Sequence, residues 1–266
     1  MDNKTTNIGS ESGHWYNNDG LVELVPNVKE DKMIKPTLRE AKRLNLLPSV
    51  TSILQIINKP ALTKWITNEH IRACSYIDKQ GKDESFTDYC KRVNEQMQKF
   101  NDHAQVGTNI HAEIAKWIDN NSYEFDPIVN KAIEFIKSLI TTFNPIKIQS
   151  EKPFANYCGG YGGTIDLRLI CKDQVIILDF KSTDDDKIIK GDNLAYKDSH
   201  LVQLVAYGMS ESNFNIADLP HRYINVFIGR LAGDISVKEW DKQEDVLWAG
   251  EYFKAVRNLY KIMKGI

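Results

Sequence analysis

Thr164-Ile-Asp-Leu-Arg168 and, one tight turn later, Ile177-Leu-Asp-Phe-Lys181 are two short apolar runs, each carrying a single aspartate. Such runs read as β-strands, and Lys172-Asp173 between them reads as the polar connection of a hairpin. Successive side chains of a strand alternate faces, so Asp179 and Lys181 share one face while Phe180 enters the opposite layer. Paired as a hairpin, the runs let Asp166 reach the face of Asp179. Two carboxylates and an ammonium then converge, a set suited to a divalent cation and an attacking water. The ordinary alternative is an ion pair of Asp179 with Lys181 or Arg168, because a buried carboxylate without a partner is costly.

Outward from this pair, Ile146 to Asn156 reads as a preceding strand. Cys158-Gly-Gly-Tyr-Gly-Gly163 then places four glycines in five positions, which lets backbone come close to a ligand or another chain segment. Downstream, Lys197 to Ser212 reads as an amphipathic helix with Gln203 and Tyr207 at i and i+4 on one face. Strands at Tyr223 to Arg230 and up to Lys238 follow, and a helix covers Lys242 to Lys264. Upstream, a strand pair is expected over His14 to Val25, with Asn17-Asn-Asp-Gly20 as its turn. Helices are expected from Thr37 to Asn45, Val50 to Asn58, Ala61 to Lys79, Phe86 to Asn120 (with Gly107 as a candidate interruption) and Pro127 to Phe143. The pattern predicts an α/β chain: a mixed central β-sheet flanked by helices, behind a mainly helical N-terminal half.

A chain of 266 residues with 42% hydrophobic content can bury one large core. Its formal charge of −2 and pI of about 6.3 do not advertise a polyanion partner. The segment from Lys29 to Arg72 differs, with nine Lys/Arg against four Asp/Glu, a net of +5. Cys74, Cys90, Cys158 and Cys171 lack the spacing of metal knuckles and read as reduced thiols of a cytosolic protein. The first 13 residues have no leader-like pattern, and no run approaches the roughly twenty apolar residues of a membrane span. A soluble, cytoplasmic protein is expected.

Taken in order, Gly107-Thr-x-x-His111, Gly162-Gly-Thr-x-Asp166, Asp179-x-Lys181 and Gln203-x-x-x-Tyr207 resemble the RecB-type exonuclease branch of the PD-(D/E)XK nuclease superfamily. The resemblance spans about Gly107 to Tyr207. More loosely, Leu47-Pro-Ser-Val-Thr-Ser-Ile-Leu54 and Lys59-Pro-Ala-Leu-x-x-Trp65 resemble segments of phage-type and mitochondrial-type single-strand exonucleases of this branch. It implies a restriction-endonuclease-like fold, with a strand-guiding region over 1–100 and the nuclease core over 101–266. His111, Asp166, Asp179 and the Phe180 carbonyl are the implied ligands of Mg²⁺ or Mn²⁺. Lys181 would orient or deprotonate the attacking water, and Gln203 and Tyr207 would contact the DNA backbone or steady Lys181.

Further candidates are Glu113 and Glu151 as carboxylates, Ser182 and Thr183 for phosphate, and Trp65, Tyr157 and Tyr161 for base stacking, with core packing as the alternative for Trp65. No cysteine follows Cys171, which excludes the iron–sulfur subgroup of the branch. The implied activity is metal-dependent exonucleolytic hydrolysis of DNA to leave 5′-phosphates, in recombination, repair or phage DNA processing. The implied partner is a single strand or a duplex end, with homo-oligomerisation open. A structure-specific endonuclease and a non-catalytic nucleic-acid-binding recombination accessory are the rival readings.

Overall fold

Asp126, Pro127 and Asn144 show how local chemistry frames an element. The Asp126 carboxylate accepts hydrogen bonds from the backbone N–H groups of Ile128 (2.7 Å) and Val129 (3.2 Å). Pro127 lies in the first turn, where its missing N–H costs nothing, and Asn144 closes the helix in the left-handed conformation at φ 44°. The helix between them spans Pro127–Phe143, as its sequence predicts.

The computed structural model describes residues 13–27, 31–57, 60–100, 102–211 and 221–266. In chain order the elements are β1 (Trp15–Tyr16), β2 (Val25–Asn27), β3 (Lys32–Ile34), α1 (Leu38–Arg43), β4 (Leu47–Pro48), α2 (Val50–Leu54), α3 (Pro60–Ser75), α4 (Phe86–Phe100), α5 (Asp102–Asn120) and α6 (Pro127–Phe143). There follow β5 (Lys147–Asn156), β6 (Tyr161–Ile170), β7 (Val175–Thr183), α7 (Asp185–Ile189), a π-helical turn Lys197–Leu201, α8 (Val202–Met209), β8 (His221–Gly229), β9 (Ile235–Trp240) and α9 (Gln243–Lys264). The chain is mixed α/β, and its central sheet has the order β5-β6-β7-β8-β9. Neighbours are antiparallel except β7 and β8, which run parallel and are joined through α7 and α8.

The sheet separates two apolar cores. On one face Ile110 and Ile114 of α5 and Val129, Ala132, Ile133 and Ile136 of α6 cover Leu178, Phe180 and Val226. On the other, α2, α8 and α9 cover Ile177, Tyr223 and Phe227. Burying one such aliphatic or aromatic side chain contributes roughly 1.5–3 kcal/mol.

Three expectations are corrected here. The first strand pair is only a bridge between Tyr16 and Val22, and β1 instead pairs with β4, because Ser49 and Tyr16 are drawn onto the start of β6. Gly107 does not interrupt α5; it lets the helix approach β7 so closely that an added Cβ would lie 2.7 Å from Ser182 Oγ. The segment from Lys197 is not an amphipathic helix, since every residue of α8 is buried between the sheet, α2 and α9. Lys59 and the side chain of Trp65 lie outside the described residues. Among the described residues no helix is long and apolar enough to cross a membrane.

Beside β1, His14 is 4% exposed, and its Nε2 has no hydrogen-bond partner among the described residues. Burial, with a smaller push from the Lys35 ammonium, lowers its pKa from 6.5 to about 4. The unfolded chain therefore takes up a proton near pH 6.5 that the folded chain refuses until about pH 4. The stability tied to His14 is present above pH 6.5 and is lost as the pH falls through that window, by about 2–3 kcal/mol. Urea unfolding between pH 4 and 7 checks this, and His14→Gln should flatten that part of the profile.

Candidate metal centre

The register of the sheet builds the site. Ser150 pairs with Leu167 and Lys152 with Ile165, which leaves Glu151 of β5 opposite Asp166 of β6. On the other side of β6 the ladder to β7 ends at Leu167 and Leu178, one step short of Asp166 and Asp179. Asp179 then pairs with Asn225 of β8, and Asn225 with Lys238 of β9. Glu151, Asp166, Asp179, Asn225 and Lys238 thus form one row across five strands.

At this row the sheet forks. From Asp166 back to Tyr161, β6 stays with β5, whereas from Asp179 to Thr183, β7 stays with β8. Ile165 and Leu167, two apart on β6, pack into different cores, so the strand twists at Asp166. Into the fork the Phe180 backbone N–H donates to Asp166 Oδ2 at 2.8 Å, supplying the bond that the broken ladder no longer makes. Helix α5 closes the fork from the side of its own core. His111, one turn beyond Gly107, stands edge-on to the Phe180 ring at 5.8 Å, with Nδ1 3.6 Å from Asp166 Oδ2.

Three of these groups converge. Ligand atoms of His111, Glu151 and Asp166 lie within 4.8 Å of one another. Ligands on one cation at about 2.0–2.6 Å must stand no further apart than roughly 5 Å, so the spacing fits a divalent ion. Glu151 reaches the group with φ 44°, a left-handed backbone uncommon for its residue type. Strain of that kind, about 1–3 kcal/mol, concentrates at functional sites. Burial, opposed by the nearby His111 and reinforced by Asp179, raises the pKa of Asp166, and a cation in the site would hold it ionised. Two carboxylates and one imidazole suit Mg²⁺ or Mn²⁺, the nitrogen favouring Mn²⁺.

Asp179 stands beside this group rather than within it. It is 1% exposed; its Oδ1 meets the Lys181 ammonium at 2.5 Å and its Oδ2 accepts from Asn225 Nδ2 at 2.8 Å. Asn225 in turn accepts from Trp240 Nε1 at 2.8 Å. The chain Trp240–Asn225–Asp179 therefore holds Lys181, whose side chain keeps 32% exposure, at the open side of the row.

The remaining candidates fall elsewhere. Gln203 Nε2 donates to Tyr207 Oη at 2.8 Å, and the pair is buried at 9% and 1% exposure. Tyr161 is fully buried and donates to the Ala206 carbonyl, which corrects its expected stacking role. The Gly159–Gly163 run it sits in serves packing: a Cβ on Gly162 would lie 2.6 Å from the Tyr16 ring. Tyr157 stays exposed and donates to Asn18. Glu113 accepts from the Glu124 N–H at 2.7 Å and fastens the loop after α5. Ser182 faces Gly107, and Thr183 is buried. Asn225 and Trp240 carried no sequence signal beyond being polar and aromatic residues in strands.

No family model matches the chain, and no curated protein resembles it in sequence. Among solved structures, the crystal structure of SSO0001 is a distant likeness at 16% identity, covering 73% of this chain and 86% of that one with a TM-score of 0.27.

Proposed function

We propose that this chain is a metal-dependent deoxyribonuclease of restriction-endonuclease-like topology, acting as an exonuclease on a DNA end and leaving 5′-phosphates in recombination, repair or phage DNA processing. The observation that carries the reading is the row at the sheet fork, with His111, Glu151 and Asp166 gathered within 4.8 Å and Lys181 held beside them by Asp179. A divalent ion bound there would polarise a phosphoryl oxygen and lower the pKa of its water.

The protein groups divide the remaining work. Asp166 is oriented by the Phe180 N–H and His111 by the Phe180 ring. Lys181 offers a fixed ammonium to the charge that grows on the phosphate in the transition state. Asp179, closed on both oxygens, acts as the positioning residue for that ammonium.

End-labelled single- and double-stranded DNA with Mg²⁺ or Mn²⁺ tests the proposal. The expected result is metal-dependent release of nucleotides bearing 5′-phosphates, stopped by chelator and lost in Lys181→Ala. Calorimetry should show Mn²⁺ binding weakened about tenfold or more in Glu151→Gln. Absence of cleavage on both substrates with both metals would sink the reading.

A further inference from the structure

A cavity of about 480 Å³ opens on the same sheet face as Asp179, between β9, the start of α9 and the segment before α8. Tyr196, Lys197, Asp198, Lys238, Trp240 and Trp248 line it. Two of its aromatic walls lie open to solvent, Tyr196 at 57% and Trp248 at 41% exposure. Large aromatic surfaces left open and gathered in one concavity mark a recognition site more often than a bare packing seam.

Its position ties it to the metal centre. Lys238 is the last member of the row that runs through Asp179 and Asn225, two strand spacings or roughly 10 Å from Asp179. The inner wall, Trp240, donates the hydrogen bond that holds Asn225 on Asp179. Between the two sites the row is closed, with Asp179 and Asn225 buried beneath α8, so the cavity opens at the β9 end, where Lys238 is exposed.

Charge and shape select what enters. The Lys238 ammonium sits 5.0 Å over the Trp240 ring and has no carboxylate partner among the described residues. The Lys197 ammonium lies 5.4 Å over the Trp248 ring but is paired with Asp245, and Asp198 adds a carboxylate at the rim. The cavity is thus nearly balanced in charge, so a phosphate alone gains little there, whereas a flat π-system gains from the exposed aromatic surface of Tyr196 and of Trp248, whose ring also packs on Tyr252 at 5.0 Å. Lys238 is left to meet one phosphate beside that ring.

We infer that this cavity is a nucleobase-stacking subsite, so that DNA engaging it is single-stranded there, with a base unpaired and laid against Trp248 and Tyr196. The inference rests on the nuclease reading and specifies the substrate of that site. Stacking on an aromatic side chain contributes about 1–3 kcal/mol per base, which sets the size of the effect.

The test compares a labelled oligothymidylate with an abasic oligomer of equal length by fluorescence anisotropy in chelator, so that nothing is cut. The parent should bind the thymidylate more tightly than the abasic strand. Trp248→Ala and Tyr196→Ala should each weaken thymidylate binding about tenfold, leave abasic binding unchanged, and retain the parent's circular dichroism and melting temperature. Trp248→Phe should recover most of the loss. Equal binding of both oligomers by the parent, or equal losses on both in the variants, overturns the subsite. If the parent cuts DNA with Mg²⁺ while showing no preference for bases, the subsite falls and the nuclease reading stands. If it neither binds nor cuts DNA, both fall.

Discussion

Asp166→Asn lowers kcat/KM for DNA cleavage by about a thousandfold or more while leaving thermal stability unchanged or slightly raised. The asparagine keeps shape and an oxygen that accepts from the Phe180 N–H, so the fork stays closed. What it removes is the anionic donor central to the group formed with His111 and Glu151. A thousandfold loss is about 4 kcal/mol of barrier, the scale on which a principal electrostatic contact of an active site acts. Stability does not fall with it, because ionising a carboxyl with 14% exposure is itself unfavourable without a cation. Steady-state cleavage with Mg²⁺ and a thermal melt at pH 7 read the two parts separately. A variant within tenfold of the parent's rate would remove Asp166 from the chemistry.

The second large effect falls on stability. Asn225 is fully buried and is the joint between Trp240 and Asp179. Asn225→Ala orphans the indole N–H and one oxygen of a buried carboxylate together. Each unsatisfied neutral group costs about 1–3 kcal/mol and a charged one more, so a loss of about 4 kcal/mol is expected in urea unfolding. Cleavage should fall as well, since Asp179 no longer holds Lys181 in place. A stability change below about 1 kcal/mol would show that the joint is dispensable.

Sequence and structure agree where the determining forces are local. The alternation in Ile177-Leu-Asp-Phe-Lys181 puts Asp179 and Lys181 on one face, and the ion pair between them follows from that alternation. The same strands carry Asp166 to the neighbouring place, and the i, i+4 spacing of Gln203 and Tyr207 does bring their side chains together. Spacing says nothing about which way that helical face looks. Tertiary packing turns it into the core, where α8 is enclosed on all sides.

Glu151 is legible only as a carboxylate in the strand before the glycine run. Its place opposite Asp166 depends on the register between β5 and β6, and its reach depends on a positive φ that no local pattern announces. Asn225 is harder still, because it lies 46 residues from Asp179 on a parallel strand reached only through α7 and α8. Tyr161 shows the converse. An aromatic among glycines invites a ligand-facing reading, but Gly162 lets the Tyr16 ring come against β6 and Gly163 makes room for the Phe154 and Tyr207 rings.

The transverse row also governs how portable the site is. Each of β5 to β9 contributes a single residue to it, so the members of the row are ordered by strand position and not by nearness along the chain. A hairpin excised from Tyr161 to Thr183 would carry Asp166, Asp179 and Lys181 intact, yet it would leave behind Glu151, His111, Asn225 and Trp240. Transplanting the recognisable motif would move its letters and strand the chemistry, because the unit that has to be inherited whole is the sheet together with helix α5.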